Sequence, residues 1–127
     1  MLVIDDSNDF TMLIEMYSER EAIEVAVAET AEAGLERLAA EHFDAVLMDF
    51  HLPGMNGAEA VRALRQQERH HNRPLVAVFA LTDLLDLESS RQMLEAGCTA
   101  LVGKPLSRQQ FLGIAALHRG RTAAIAA

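Results

Sequence analysis

The sequence predicts an α/β fold in which a parallel sheet carries helices on both faces. Five strand-like segments alternate with five helix-like segments along the chain, and several of the strand-like segments are continuous apolar runs. Such runs are typical of strands that are buried on both faces, and the alternation favours right-handed crossovers between parallel neighbours. With 127 residues, half of them hydrophobic, the chain is long enough for one domain with its own core.

The first half of the chain contains the first three strands and helices. Leu2–Ile4 and Ala45–Met48 are apolar runs that predict buried strands, whereas the alternating Ile23, Val25 and Val27 predict a half-exposed edge strand. The helices are indicated by apolar residues at helical spacing, namely Phe10, Leu13, Ile14 and Tyr17, then Ala31, Leu35 and Leu38, then Val61 and Leu64 within residues 58–67.

The second half adds two more strands and helices. Leu75–Leu81 predicts the fourth strand and Ala100–Val102 the fifth. The register of the fourth strand stays open, because either Phe79 or Thr82 could occupy its end.

Capping residues mark the ends of the last two helices. Leu87–Glu95 predicts the fourth helix, and Gly97 is placed to close it in a left-handed conformation. Ser107 and Gln110 form a capping box for a fifth helix. We expect a single domain over residues 1–120 and a disordered, alanine-rich tail over residues 121–127.

Composition excludes some classes of partner and location. The net charge of −8 argues against direct binding of nucleic acid, because phosphate contacts need clustered Lys and Arg. The single cysteine, Cys98, cannot form an internal disulfide, which fits a reducing compartment. The acids at positions 5 and 6 interrupt any N-terminal signal peptide, and no apolar stretch is long enough to span a bilayer. We therefore expect a cytoplasmic protein.

Chemically reactive residues follow the predicted strands. Asp5 and Asp6 come after the first strand, Asp49 after the third, Thr82 after the fourth and Lys104 after the fifth. In an open parallel sheet, ligands bind outside the carboxyl ends of the strands, where the strand order reverses. These side chains should therefore meet at one edge of the sheet.

Three crowded carboxylates require a cation or a proton. At about 4 Å and an effective dielectric near 20, each like-charge pair costs roughly 4 kcal/mol. Mg²⁺, or alternatively Mn²⁺, would relieve this repulsion and would also accept phosphate oxygen. A carboxylate can itself be the nucleophile that forms an aspartyl phosphate. Lys104 and Thr82 would then hold the phosphoryl oxygens.

The motifs around these residues resemble the receiver domain of bacterial two-component response regulators. Residues 2–7 (LVIDDS) match the acidic-pair motif, and residues 48–57 (MDFHLPGMNG) match the phosphoacceptor motif. Leu81-Thr82 and residues 103–105 (GKP) match the last two motifs. The resemblance covers nearly the whole chain and implies a flavodoxin-like fold with strand order 2-1-3-4-5.

The resemblance also implies a role for each residue. Asp49 would accept a phosphoryl group from a histidine kinase or a histidine phosphotransfer protein. Asp6, Asp49 and the backbone carbonyl of His51 would bind Mg²⁺ directly, and Asp5 would act through water. Lys104 would pair with Asp49, and Thr82 would move toward the phosphoryl group. The peptide bond between Lys104 and Pro105 would be cis.

Two positions depart from the family pattern. Asp83 stands where relatives have a small residue, and its charge would repel a phosphoryl group if it faced the pocket. Leu101 stands where relatives have an aromatic residue that changes position on phosphorylation. These departures keep open a degenerate receiver, a protein-interaction module that works without phosphate.

An aspartyl-nucleophile phosphatase is a third class. It would need a second acid two residues after Asp49, where this chain has His51. We therefore expect a signalling module and not an enzyme, assisting only its own phosphorylation and dephosphorylation. Its output would come from a separate partner or from a larger chain of which this is a piece.

Overall fold

The computed structural model describes residues 1–116 and contains a five-stranded parallel sheet between two layers of helices. The elements in chain order are β1 (Leu2–Ile4), α1 (Asn8–Glu19), β2 (Ala26–Ala28), α2 (Ala31–Ala40), β3 (Ala45–Asp49), α3 (Gly57–His70), β4 (Ala77–Thr82), α4 (Leu87–Ala96), β5 (Ala100–Gly103) and α5 (108–116). The strand order is β2-β1-β3-β4-β5. The predicted fold class and strand order are therefore confirmed, while the predicted tail at 121–127 lies outside the described residues.

The core has two apolar layers, one on each face of the sheet. The alternation of side chains along β3 sends Val46 and Met48 to the layer under α2, α3 and α4, and Leu47 to the layer under α1 and α5. On the first face α2 lies very close to β1, since a Cβ at Gly34 would stand 2.3 Å from Ile4 Cδ1. This close approach explains a glycine inside a helix, where it costs up to about 1 kcal/mol relative to alanine.

The edge strand β2 is shorter than its alternating sequence predicts. The strand covers Ala26–Ala28, and the pairing with β1 starts at Leu2 and Ala26. Ile23 and Val25 instead pack against the layer under α1 and α5 without strand pairing. The prediction of a strand from Ile23 onward was wrong, because the pairing with β1 covers only Ala26–Ala28.

The fourth strand begins and ends later than expected. Leu75 is 69% exposed, and β4 begins at Ala77. The backbone N–H of Val76 donates to Glu68 Oε2 at 2.8 Å, and its carbonyl accepts from Arg65 at 2.9 Å. Because side chains of α3 use these groups, the strand cannot extend back through Val76. At its other end β4 includes Thr82, which settles the open register.

The helix ends follow the predicted capping residues. Gly97 closes α4 with φ of 105°, and Ser107 and Gln110 exchange backbone and side-chain hydrogen bonds at the start of α5. The helix α3 runs from Gly57 to His70 and is longer than the predicted 58–67. Its start is fixed by a capping box between Asn56 and Glu59.

Candidate functional site

The strand register brings the predicted site residues to one edge of the sheet. Ile4 of β1 pairs with Met48 of β3. Asp5 and Asp49 are the next residue on each chain segment and therefore lie side by side. Thr82 pairs with Gly103, and the Lys104 N–H donates to the Thr82 carbonyl at 3.1 Å. We call this end of β1, β3, β4 and β5 the carboxyl edge.

Three carboxylates meet at the carboxyl edge. One oxygen from each of Asp5, Asp6 and Asp49 lies within 4.8 Å of the others. Asp5 and Asp49 are buried, with 1% and 7% of their surfaces exposed, whereas Asp6 is exposed. Asp5 is oriented by the Ser7 N–H, which donates to Asp5 Oδ1 at 2.8 Å. One carboxylate therefore faces solvent while two are held inside.

Lys104 lies between the two buried carboxylates. Its Nζ atom is 2.6 Å from Asp5 Oδ2 and 3.4 Å from Asp49 Oδ1. The ammonium also lies 4.7 Å from the centroid of the Phe10 ring. The shorter ion pair is thus with Asp5, although the resemblance implied a pairing with Asp49. The following peptide bond, to Pro105, is cis as expected.

The electrostatics of the cluster favour a bound cation. Burial, followed by the charge of Asp5, raises the pKa of Asp49 above its usual range, and Lys104 opposes this shift only in part. The two buried carboxylates share one ammonium, since Lys104 Nζ lies beside both Asp5 Oδ2 and Asp49 Oδ1. Carboxylate oxygens are the hard ligands that Mg²⁺ binds, so the donor set fits this ion.

The loop after β3 is closed against Asp49. The Gly57 N–H donates to the Phe50 carbonyl at 2.8 Å, which joins the two ends of the loop. A Cβ at residue 57 would stand 2.3 Å from the backbone oxygen of Asp49. Glycine is therefore required there by close backbone approach. The exposed side chain of His51, inside the loop, lies with its Nε2 atom 3.9 Å from Asp86 Oδ2 at the start of α4.

The two residues that depart from the family pattern, Asp83 and Leu101, differ in their exposure to solvent. Asp83 is exposed, and its carboxylate accepts the Leu85 N–H at 3.0 Å in a local turn. The charge that kept the degenerate-receiver interpretation open is therefore on a carboxylate that is hydrogen-bonded within this turn. Leu101 is half-buried against the layer under α4.

Sequence reasoning missed two residues of the site. Phe10 was used only to predict the first helix, although it stands four residues after Asp6. Ser90 was not singled out, yet its hydroxyl lies 3.4 Å from the Thr82 hydroxyl, and both residues are buried. The signal for Ser90 was a small polar residue on the inner face of the fourth helix, which sequence alone does not connect to Thr82.

Comparisons with known proteins agree with the geometry. The family model described as the response regulator receiver domain matches residues 1–116. The sensor protein GacS of Pseudomonas syringae pv. syringae is 32% identical over 87% of the chain, and the polar-differentiation response regulator DivK of Brucella ovis is 33% identical over 88% of it. A CheY-like response regulator receiver domain protein from Methanospirillum hungatei superimposes with a TM-score of 0.80, at 27% identity, and covers 97% of this chain and 95% of its own.

The relatives differ in how much of them this chain covers. It spans 12% of GacS but 89% of DivK. Within residues 1–116, no helix is both long enough and apolar enough to cross a bilayer.

Proposed function

Because the chain belongs to the response regulator receiver domain family, we propose that it is the phosphoacceptor of a two-component phosphorelay. Asp49 would take a phosphoryl group from a phosphohistidine with the help of Mg²⁺, and the phosphorylated form would interact differently with a partner. The observation that carries this proposal is the convergence of three carboxylates and Lys104 on one edge of the sheet. Thr82 ends the neighbouring strand at the same edge.

The transfer would be a displacement at phosphorus. An Asp49 oxygen would form the new P–O bond while the P–N bond to the donor imidazole breaks, and the imidazole nitrogen would keep the electron pair and take up a proton. Lys104, already 3.4 Å from Asp49 Oδ1, would neutralise charge on the phosphoryl oxygens. Thr82 would donate its hydroxyl to one of them. A bound Mg²⁺ would supply further charge neutralisation, held by Asp6, Asp49 and the His51 carbonyl, with Asp5 acting through water.

The partners follow from this chemistry. The donor would be a histidine kinase or a histidine phosphotransfer protein, and GacS, one of the similar proteins, is named as a sensor protein. The output would come from a separate protein or from another part of a longer chain. We place the protein in the cytoplasm and expect no catalysis beyond its own phosphorylation and dephosphorylation.

The proposal is tested with a small phosphodonor. Incubation with phosphoramidate and Mg²⁺ should increase the intact mass by one phosphoryl group, and EDTA should prevent this increase. An unchanged mass at saturating donor and metal would instead favour the phosphate-independent interaction module.

We expect Mg²⁺ to stabilise the protein against thermal unfolding. A cation that binds only the folded state shifts unfolding by mass action, by about 2.7 kcal/mol at 100 times its dissociation constant. Because the pKa of Asp49 is raised, the apo protein should lose stability as pH rises through that pKa, and Mg²⁺ should offset the loss. Differential scanning calorimetry at several pH values measures both effects.

The control for the metal effect is Asp6→Ala, which removes the exposed carboxylate. This variant should respond little to Mg²⁺, and relief of repulsion should leave its metal-free stability equal to or above that of the wild type. A wild-type melting temperature that does not change in millimolar Mg²⁺ would contradict the metal site.

Phosphorylation should perturb the face formed by α4, β5 and α5 only weakly. Leu101 has no ring that could occupy two positions. We therefore expect the free energy that couples phosphorylation to partner binding to be below about 1 kcal/mol, whereas allosteric couplings commonly reach 1–3 kcal/mol. Beryllofluoride with Mg²⁺, which stands in for the phosphoryl group, should shift amide signals mainly in the loops after Asp49 and Thr82. Large shifts across β5 and residues 108–116 would contradict this prediction.

A further inference from the structure

Three groups lie close to the Lys104 ammonium. Asp5 and Asp49 provide negative charge at 2.6 Å and 3.4 Å, and the Phe10 ring provides an aromatic surface at 4.7 Å. The Lys104 side chain is only 29% exposed, so part of its hydration shell is replaced by these groups. An ammonium over an aromatic ring at this distance is attracted by the negative potential of the ring face.

The turn at Ser7 positions both the Phe10 ring and the Asp5 carboxylate. Ser7 is the N-cap of α1, and its hydroxyl oxygen accepts the Phe10 N–H at 3.3 Å. The Ser7 N–H in turn donates to Asp5 Oδ1. The cap therefore fixes the positions of Asp5 and Phe10 relative to each other. The Phe10 ring is also buried, with 8% exposure, in the layer under α1 and α5.

We infer that Phe10 is a positioning residue that keeps the Lys104 ammonium directed toward Asp49, ready to meet a phosphoryl group. The inference rests on the proposed function and adds Phe10 to the residues that serve it. The ammonium lies over the ring at the place where it contacts both carboxylates, 2.6 Å from Asp5 and 3.4 Å from Asp49. The ring attracts the same cation without accepting a conventional hydrogen bond. It therefore limits the freedom of Lys104 and leaves its N–H groups available for phosphoryl oxygens.

The test changes the electrostatics of the ring and keeps its shape. Trifluorophenylalanine at position 10 weakens the negative potential of the ring face, and the same substitution at Phe111 is the matched control. Phe111 is buried in the same layer, but its ring contact is with Tyr17. We expect about fivefold weaker beryllofluoride binding and about fivefold slower labelling by phosphoramidate for the variant at position 10, and no change for the control.

Two further readouts separate positioning from packing. Mg²⁺ affinity, measured without phosphodonor, should stay within about twofold of the wild type, because the carboxylates are untouched. In the wild type the ring current should shift the Lys104 ε-CH₂ protons upfield, and Phe10→Leu should remove this shift. Equal beryllofluoride affinity for all the variants, or an unshifted Lys104 signal in the wild type, would overturn the inference. A wild type that shows the shifted Lys104 signal but binds no beryllofluoride would overturn both the inference and the proposed function.

Discussion

Asp49→Ala and Asp49→Asn should abolish labelling by phosphoramidate, whereas the wild type gains one phosphoryl group. Asp49 is the last residue of β3, and its side chain is one of the two buried carboxylates that face Lys104. Asparagine keeps the size of the side chain and removes its charge, so a loss of labelling reports on the nucleophile and not on packing. Intact mass spectrometry after a fixed incubation measures the fraction labelled.

The matched control is Asp83→Asn, which neutralises a nearby carboxylate that is engaged in its own turn. It should be labelled at least as well as the wild type. Labelling of Asp49→Asn to the wild-type extent would show that another residue is the nucleophile.

Arg65→Met should destabilise the protein by about 3–5 kcal/mol, because it leaves the buried Glu68 carboxylate without its counterion. Both residues are buried, with 7% and 4% exposure, and Arg65 NH1 lies 2.8 Å from Glu68 Oε1. Arg65 also donates to the carbonyls of Gly97 and Val76. This ion pair therefore joins α3 to the end of α4 and to the start of β4. Urea denaturation measures the loss.

Two variants separate the cost of an unpaired charge from the value of the pair. The double variant Arg65→Met with Glu68→Leu should recover much of the stability, because no buried charge remains. Arg91→Met removes the exposed pairs with Glu88 and Glu95 and should cost much less stability than Arg65→Met, because solvent screens these pairs. Equal losses for Arg65→Met and Arg91→Met would contradict the assignment of Arg65 as a buried link.

Most of the fold could be predicted because its signals are local. Continuous apolar runs identified β1 and β3, and the caps at Gly97 and Ser107 located the ends of two helices. The start of β4 could not be predicted, because Val76 is bound by side chains 8 and 11 residues away on α3. The start of β2 likewise depended on its register with β1, which no local pattern encodes.

The meeting of the site residues at one edge of the sheet could also be predicted, because it follows from the positions of the strands. Asp5 and Lys104 directly follow strands and Asp49 ends one, so the parallel topology alone brings them together. The contacts of Phe10 and Ser90 depend on how helices pack on the sheet, which no local pattern encodes. The preference of Lys104 for Asp5 over Asp49 likewise depends on distances that only the structure gives.

Identifying the modified residue tests the central claim most directly. An aspartyl phosphate is an acyl phosphate, and borohydride reduces it to homoserine, which marks the carboxylate that carried the group. After treatment with phosphoramidate and Mg²⁺, then borohydride, peptide fragmentation should place homoserine at residue 49 and at no other aspartate. Homoserine at Asp5 or Asp6, or unmodified aspartate at residue 49 in a protein that has gained a phosphoryl group, would contradict the account.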